Sequence, residues 1–389
     1  MAISKINGIV YSNIAKVSGK VVAQLAKAAG QTAAAGDPPA DGASRVVACF
    51  DDAYVSWVEI ADDGDPAEWE NNMYKAGANN DNWDVLDIAF GKDGSGDPFY
   101  VAVAQKNNPE IIYDDDGDIT DGVRWGEINL GGAIAGNLKQ KTVLWGNDVW
   151  VSAGLLTSST KYVYRSTNGS SWSAIDISGL TDIGNVYTNG IYALTSDGEG
   201  KWWFGIGAKL YYSSDNASSW SLHTTFSSEI IQDLAYTNDT LVALVKHGGN
   251  PHLRTAASTD TTDFSSKTQL QDSNSDGLSG NTAKRMAAGD GRVVVRDTAR
   301  TLAADVSGKT ITIQGTRQTL PDEGNLNCIC ADGDGNWWAG SDGGSSGADG
   351  GDICKSTDNG LSWTKVAEGI AKLGSRTVEG ITVDVLLPV

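Results

Sequence analysis

The residues best spaced to bind something are Asp272-Ser-Asn274-Ser-Asp276-Gly277, which set oxygen-bearing side chains at alternate positions ahead of a glycine. That is the first half of a calcium loop. Position twelve is Ala283, so the bidentate acid that completes such a loop is missing, and a solvated Asx-rich turn reads the same residues. Calcium at Asp272, Asn274 and Asp276 is the single metal expectation, and no other cofactor is expected. The run Asp114-Asp115-Asp116-Gly117-Asp118 could attract a cation but lacks a glycine at its sixth position and reads as a turn.

Nucleophilic and phosphate-binding strings are weaker still. Gly343-Gly-Ser345-Ser-Gly347 fits a nucleophile elbow, yet it sits in a glycine-rich loop with no strand before it and no helix after it. Ser307-Gly308-Lys309-Thr310 echoes a phosphate loop, but Ala303 stands where the first glycine belongs, so a tight turn before a strand at Thr310 explains it. His223, His247 and His252 have no carboxylate-plus-nucleophile context. Cys49, Cys328, Cys330 and Cys354 are embedded in strand-like runs and read as free buried thiols; a site from the last three lacks zinc-knuckle spacing and a neighbouring His.

Whatever these residues do, short strands must position them. The 389 residues include 47 Gly, 13 Trp and 12 Tyr, and turn-forming residues recur throughout, which is the composition of an all-β chain. A net charge of −20 repels polyanions, so no nucleic-acid partner is expected. No apolar stretch is long enough for a membrane span, and lysines interrupt the first thirty residues, so neither membrane insertion nor export is read here.

Organisation follows from charge and repeats. Residues 1–36 hold Lys5, Lys16, Lys20 and Lys27 and no acid, leaving −24 on the remainder. Lys5 to Ala15 repeats as Lys16 to Ala26 at a period of eleven, with a fragment at Lys27 to Gly30. Ile6, Val10 and Ile14, then Val17, Val21 and Leu25, alternate with polar residues around Gly8 and Gly19, which argues for extended strands. So short a segment cannot bury those positions alone. Residues 1–27 therefore read as a basic docking arm, with a disordered tail as the alternative, and 28–44 as an Ala/Gly/Pro linker.

From residue 45 to 389 an internal repeat dominates. Candidate first strands near Val85, Thr142, Ile191, Ile231, Arg285, Leu326 and Val378 recur about every fifty residues, the length of one propeller blade. Residues 376–387 look like a first strand with nothing after it, and 45–72 like three strands with none before. The expectation is an all-β propeller of seven four-stranded antiparallel blades, closed by pairing of the chain ends and preceded by the extended arm.

Three segments share a further motif: Ser166-Thr-Asn168-Gly169-Ser-Ser-Trp172, Ser214-Asp215-Asn-Ala-Ser-Ser-Trp220, and Ser356-Thr-Asp358-Asn-Gly360-Leu-Ser-Trp363. It resembles the Asp-box, or BNR repeat, of sialidase-like propellers. The resemblance implies a structural turn in which Ser and Asp satisfy turn amides, Gly permits positive φ and Trp fills the space between sheets. The arm, with Ser4-Lys5-Ile6-Asn7-Gly8 and Ile14-Ala15-Lys16-Val17-Ser18-Gly19, resembles the start of virion proteins of tailed bacteriophages, marine ones in particular.

Together these resemblances imply a non-catalytic virion protein, a propeller displayed on capsid or tail, anchored to other virion proteins through its arm and aiding host attachment. A sialidase-like glycosidase would need an arginine cluster drawn from several blades, whereas three of the ten arginines, Arg292, Arg296 and Arg300, lie within one unit, and no Arg-Ile-Pro occurs. A carbohydrate-binding module for host-surface glycan is the alternative, with Trp57, Trp69, Trp83 and Trp125 the less constrained aromatics.

Overall fold

In the computed structural model the chain divides into two units, 1–43 and 44–389. Residues 5–6 and 9–10 are described in the first. The second is described from 45 to 383 except for 51–53, 60–73, 76–83, 106–108, 115–124, 131–139, 155–160, 182, 184–189, 192, 258–261, 279–284, 290, 299, 322–324, 333–334, 343–350 and 368–376. In the first unit Lys5 pairs with Val10 and Ile6 with Ile9, so the chain reverses between them and Ile6 and Val10 do not share one extended strand. Gly8, Ile14, Val17, Gly19, Val21 and Leu25 lie outside the described residues.

The second unit is a seven-bladed β-propeller of four-stranded antiparallel sheets. Blade 2 runs Asp84–Lys92, Pro98–Gln105, Pro109–Asp114 and Gly126–Asn129; blade 3 runs Gln140–Gly146, Val149–Gly154, Tyr162–Ser166 and Ser173–Asp176. Blade 4 is Ala193–Ser196, Trp202–Ile206, Lys209–Ser213 and Ser221–Thr225. Blade 5 is Glu229–Thr237, Thr240–His247, Asn250–Ala257 and Ser266–Gln269, and blade 6 is Arg285–Gly289, Arg292–Arg296, Arg300–Ser307 and Thr310–Thr319. Blade 7 is Leu326–Ala331, Trp337–Ser341, Ile353–Ser356 and Thr364–Ala367.

Blade 1 is composite. Its innermost strand, Val378–Val383, pairs with Arg45–Phe50, with Val46 opposite Val383 and Ala48 opposite Ile381. Arg45–Phe50 pairs on its other side with Tyr54–Glu59, and Tyr74–Lys75 completes the sheet. Each innermost strand touches the next, and Val378–Val383 touches Asp84–Lys92, so the ring is closed.

Burial explains the strand sequences. Arg45–Phe50 and Val149–Gly154 are buried at every position, as expected where sheets stack on both faces, whereas the outermost Ser173–Asp176 is largely exposed. Two-residue turns at Asn147-Asp148 and Asn238-Asp239 have positive φ at both positions, the geometry that matches strand twist. The core lies between blades: Val149, Val151 and Val163 of blade 3 pack with Trp202, Phe204 and Tyr211 of blade 4. Among the described residues no helix is long and apolar enough to cross a membrane.

Candidate functional site

The three motif turns are built alike. In blade 7 the Ser356 hydroxyl donates to Asp358 Oδ1 at 2.8 Å and accepts from the Gly360 amide at 2.9 Å. Asp358 Oδ1 in turn accepts from the amides of Leu361 and Ser362. Blade 4 repeats this with Ser213, which donates to Asp215 Oδ1 at 2.7 Å and accepts from the Ala217 amide at 3.0 Å. The serine of that turn is therefore Ser213 and not Ser214, which is exposed. In blade 3, one residue shorter, Ser166 Oγ accepts from the Gly169 amide at 2.9 Å, and Asn168 Oδ1 accepts from Ser170 and Ser171.

Both aspartates of these turns titrate below the usual range: burial acts upward, but the hydrogen bonds from Ser219 and Ser213 outweigh it at Asp215, as those from Ser362 and Ser356 do at Asp358. Each turn also bears on the preceding blade. Arg165 of blade 3 donates to the Asn216 carbonyl at 2.7 Å, and Arg292 of blade 6 to the Asn359 carbonyl at 3.0 Å. The Trp363 indole N–H reaches Thr301 of blade 6 at 2.9 Å, Trp220 packs on Phe204 at 4.6 Å between ring centroids, and the Trp172 N–H returns to the Gly169 carbonyl. The Arg165, Arg292 and Trp363 contacts fasten blade to blade, whereas the Trp220 and Trp172 contacts stay within blades 4 and 3.

The calcium candidate has a different geometry from the one expected. Asp272 Oδ1 accepts from the amides of Asn274 and Asp276, both at 2.9 Å, and Oδ2 from the amide of Arg317 at 3.0 Å. Arg317 Nη1 donates to the Gly277 carbonyl at 3.0 Å, and its Nη2 lies 3.9 Å from Asp276. The Asp272 carboxylate thus faces three N–H donors beside a guanidinium, an arrangement that repels a cation, and the Arg317 amide first of all holds it low in pKa. The turn caps the outer strand of blade 6 where its register breaks.

Two aspartates of the innermost strands escape any motif, Asp233 buried and Asp87 half-buried. Asp87 and Asp233 follow a register shift in the innermost strands of blades 2 and 5. Asp87 Oδ2 accepts from the Val143 amide of blade 3 at 3.2 Å, and Asp233 Oδ2 from the Met286 amide of blade 6 at 2.7 Å. Each Oδ1 accepts from the next amide of its own strand, Ile88 or Leu234. Burial raises both, Asp233 to about 6, against the pull of Arg285. Their signal in the sequence is an acid opening an apolar run at the same strand position: Asp87-Ile-Ala-Phe90 and Asp233-Leu-Ala-Tyr236.

A further cluster went unread in the sequence. Glu229, 2% exposed, is bound bidentately by Arg254 at 2.6 and 2.9 Å and by Lys267 at 2.9 Å, with His247 Nδ1 3.4 Å away. Burial would raise its pKa, but Arg254 and Lys267 hold it below the ordinary glutamate value. Its partners come from three strands of blade 5, so no local spacing reveals them.

Other candidates fall into place as structure. Ser307 and Thr310 pair across a two-residue turn with Gly308 at φ 56°. All four cysteines are free, and burial pushes Cys328 and Cys354 up to about 12 and Cys49 and Cys330 well above the ordinary thiol. Trp125, expected to be available to a sugar, is 2% exposed in the core between blades 1 and 2. Asp114 is buried, and 115–118 and 343–347 lie outside the described residues, as do Trp69, Trp83 and the side chain of Trp57.

The fold defines the class of molecule, a seven-bladed propeller, and comparison with known proteins adds this much. No family model matches the sequence, and no curated protein matches it. Among solved structures, YCF48 bound to D1 peptide is similar at a TM-score of 0.51 and 14% identity, over 77% of this chain and 92% of that one. YCF48 from Cyanidioschyzon merolae gives 0.49 and 14%, over 77% and 94%; the nidogen/laminin complex gives 0.47 and 11%, over 77% and 98%.

Proposed function

We propose that this chain is a non-catalytic structural protein of a phage virion: a rigid propeller displayed on the particle, tethered to capsid or tail proteins by residues 1–27, and serving host attachment. The observation that carries the reading is the use of the carboxylates. Asp87, Asp215, Asp233, Asp272 and Asp358 each accept hydrogen bonds from main-chain amides of a turn or a neighbouring strand, and so hold the body rigid. The opposite charges of arm and propeller, and the arm's resemblance to phage virion proteins, supply the tether and the setting. That a propeller of this fold can hold a polypeptide is supported by the YCF48 structure with its D1 peptide.

The test is deletion of residues 1–43 followed by particle assembly. The truncated protein is expected to melt at the full-length temperature and to be missing from purified particles. Incorporation of truncated protein at the full-length level would sink the tether.

A further inference from the structure

A sheet edge left open invites pairing with another chain, and proteins blunt it with short outermost strands and charged side chains. Six blades follow that rule. Their outermost strands are two to five residues long and include Lys75, Glu127, Asp176, His223, Lys267 or Lys365. Blade 6 breaks it: Thr310–Thr319 is ten residues long, and the stretch from Thr310 to Thr316 holds no charged residue on a chain of net charge −20. The Asp272 turn meets this strand only beyond Gly315, at the amide and side chain of Arg317. From Thr310 to Gln314 no described strand pairs with the outer edge.

Register decides which groups that edge offers. Bonded and non-bonded residue pairs alternate along an antiparallel ladder. Ile311 lies opposite Val306, whose amide is spent on the Gly291 carbonyl on its other side at 2.7 Å, so Val306 and Ile311 form a non-bonded pair. The N–H and C=O of Ile311 therefore point out of the blade, and two residues on so do those of Ile313, while Thr312, opposite Asp305, bonds inward. Four main-chain groups thus stand on the rim, placed symmetrically about Thr312, whose side chain is exposed.

We propose that this edge pairs antiparallel with the same edge of a second copy of the chain, about a two-fold axis at Thr312. Ile311 of each copy exchanges two hydrogen bonds with Ile313 of the other, which satisfies all the outward groups on both rims. Thr312 meets Thr312 across the axis, a cross-strand pair that favours association. The missing charge selects a second copy as occupant, because on so acidic a body a neutral rim is where two identical molecules approach without repulsion. The surface lies on the propeller and does not depend on the arm, so its failure would leave the tether reading standing.

The test is sedimentation of the full chain over a range of concentrations, with amide hydrogen exchange on the same samples. A reversible monomer–dimer equilibrium is expected, and the Ile311 and Ile313 amides should exchange more slowly as the dimer fills. Thr312→Lys sets two lysines face to face and should weaken the dimer about tenfold with melting temperature unchanged. Mixing it with an equal amount of folded Thr312→Glu should restore a dimer, since each axis then pairs Lys with Glu. A monomer up to the solubility limit, a dimer indifferent to Thr312→Lys, or amides whose exchange ignores concentration would overturn the proposal. Growth past the dimer would also overturn it, because a two-fold edge contact closes at two copies.

Discussion

Gly360 and Ala217 occupy the same position of two equivalent turns, at φ 78° and 61°. A Cβ on Gly360 would stand 2.5 Å from Val294 of blade 6, whereas Ala217 already fits, fully buried. Gly360→Ala should therefore cost about 2–4 kcal/mol from the left-handed backbone and overpacking together. Ala217→Gly should stay within about 1 kcal/mol, because relief of backbone strain offsets the lost methyl and the added chain entropy. Urea denaturation of both variants separates the two cases.

Asp233 gives a pH prediction of definite sign. Its folded pKa, about 6, lies above the unfolded value, so the stability gained by its protonation is full below the unfolded pKa and is lost as pH rises through about 6. Asp233→Asn cannot titrate and cannot accept from both Leu234 and Met286. The variant should be less stable than the parent, by a margin up to about 3 kcal/mol wider at pH 4 than at pH 7. Melting curves of the pair across that range would show a constant gap if Asp233 did not titrate there.

Among elements, the short hairpin around Asp272 closes an exposed edge. Asp272→Ala leaves the Arg317 amide and two turn amides without their acceptor and should lower stability by about 1–2 kcal/mol, while EDTA leaves the melting temperature of the parent unchanged. A chelator-sensitive melt would restore the calcium loop. The blade boundaries were legible because apolar runs recur at one period: strands expected near Arg285, Leu326 and Val378 begin at those residues. Ser213 was missed because two serines adjoin. Counting back from Trp220 by the seven residues that separate Ser356 from Trp363 would have chosen the right one. The Glu229 cluster stayed hidden because pairing between strands, not sequence distance, brings Arg254 and Lys267 to it.

For the whole molecule, closure depends on one strand. Removing residues 378–389 takes away the innermost strand of blade 1 and exposes Val46, Ala48 and Phe50, which are fully buried with it. The truncated chain should lose the single cooperative transition of the parent, and calorimetry would reveal this as a broadened or absent peak.

The same closure decides how the molecule bears load. Residue 44 joins the chain's first unit to Arg45–Phe50, which is hydrogen-bonded along both edges, to Val378–Val383 and to Tyr54–Glu59. Tension drawn through that junction pulls the strand lengthwise between two neighbours, so the bonds of both ladders resist together instead of parting one at a time. A particle that tugged on the first residues would be pulling on a clasp loaded in shear.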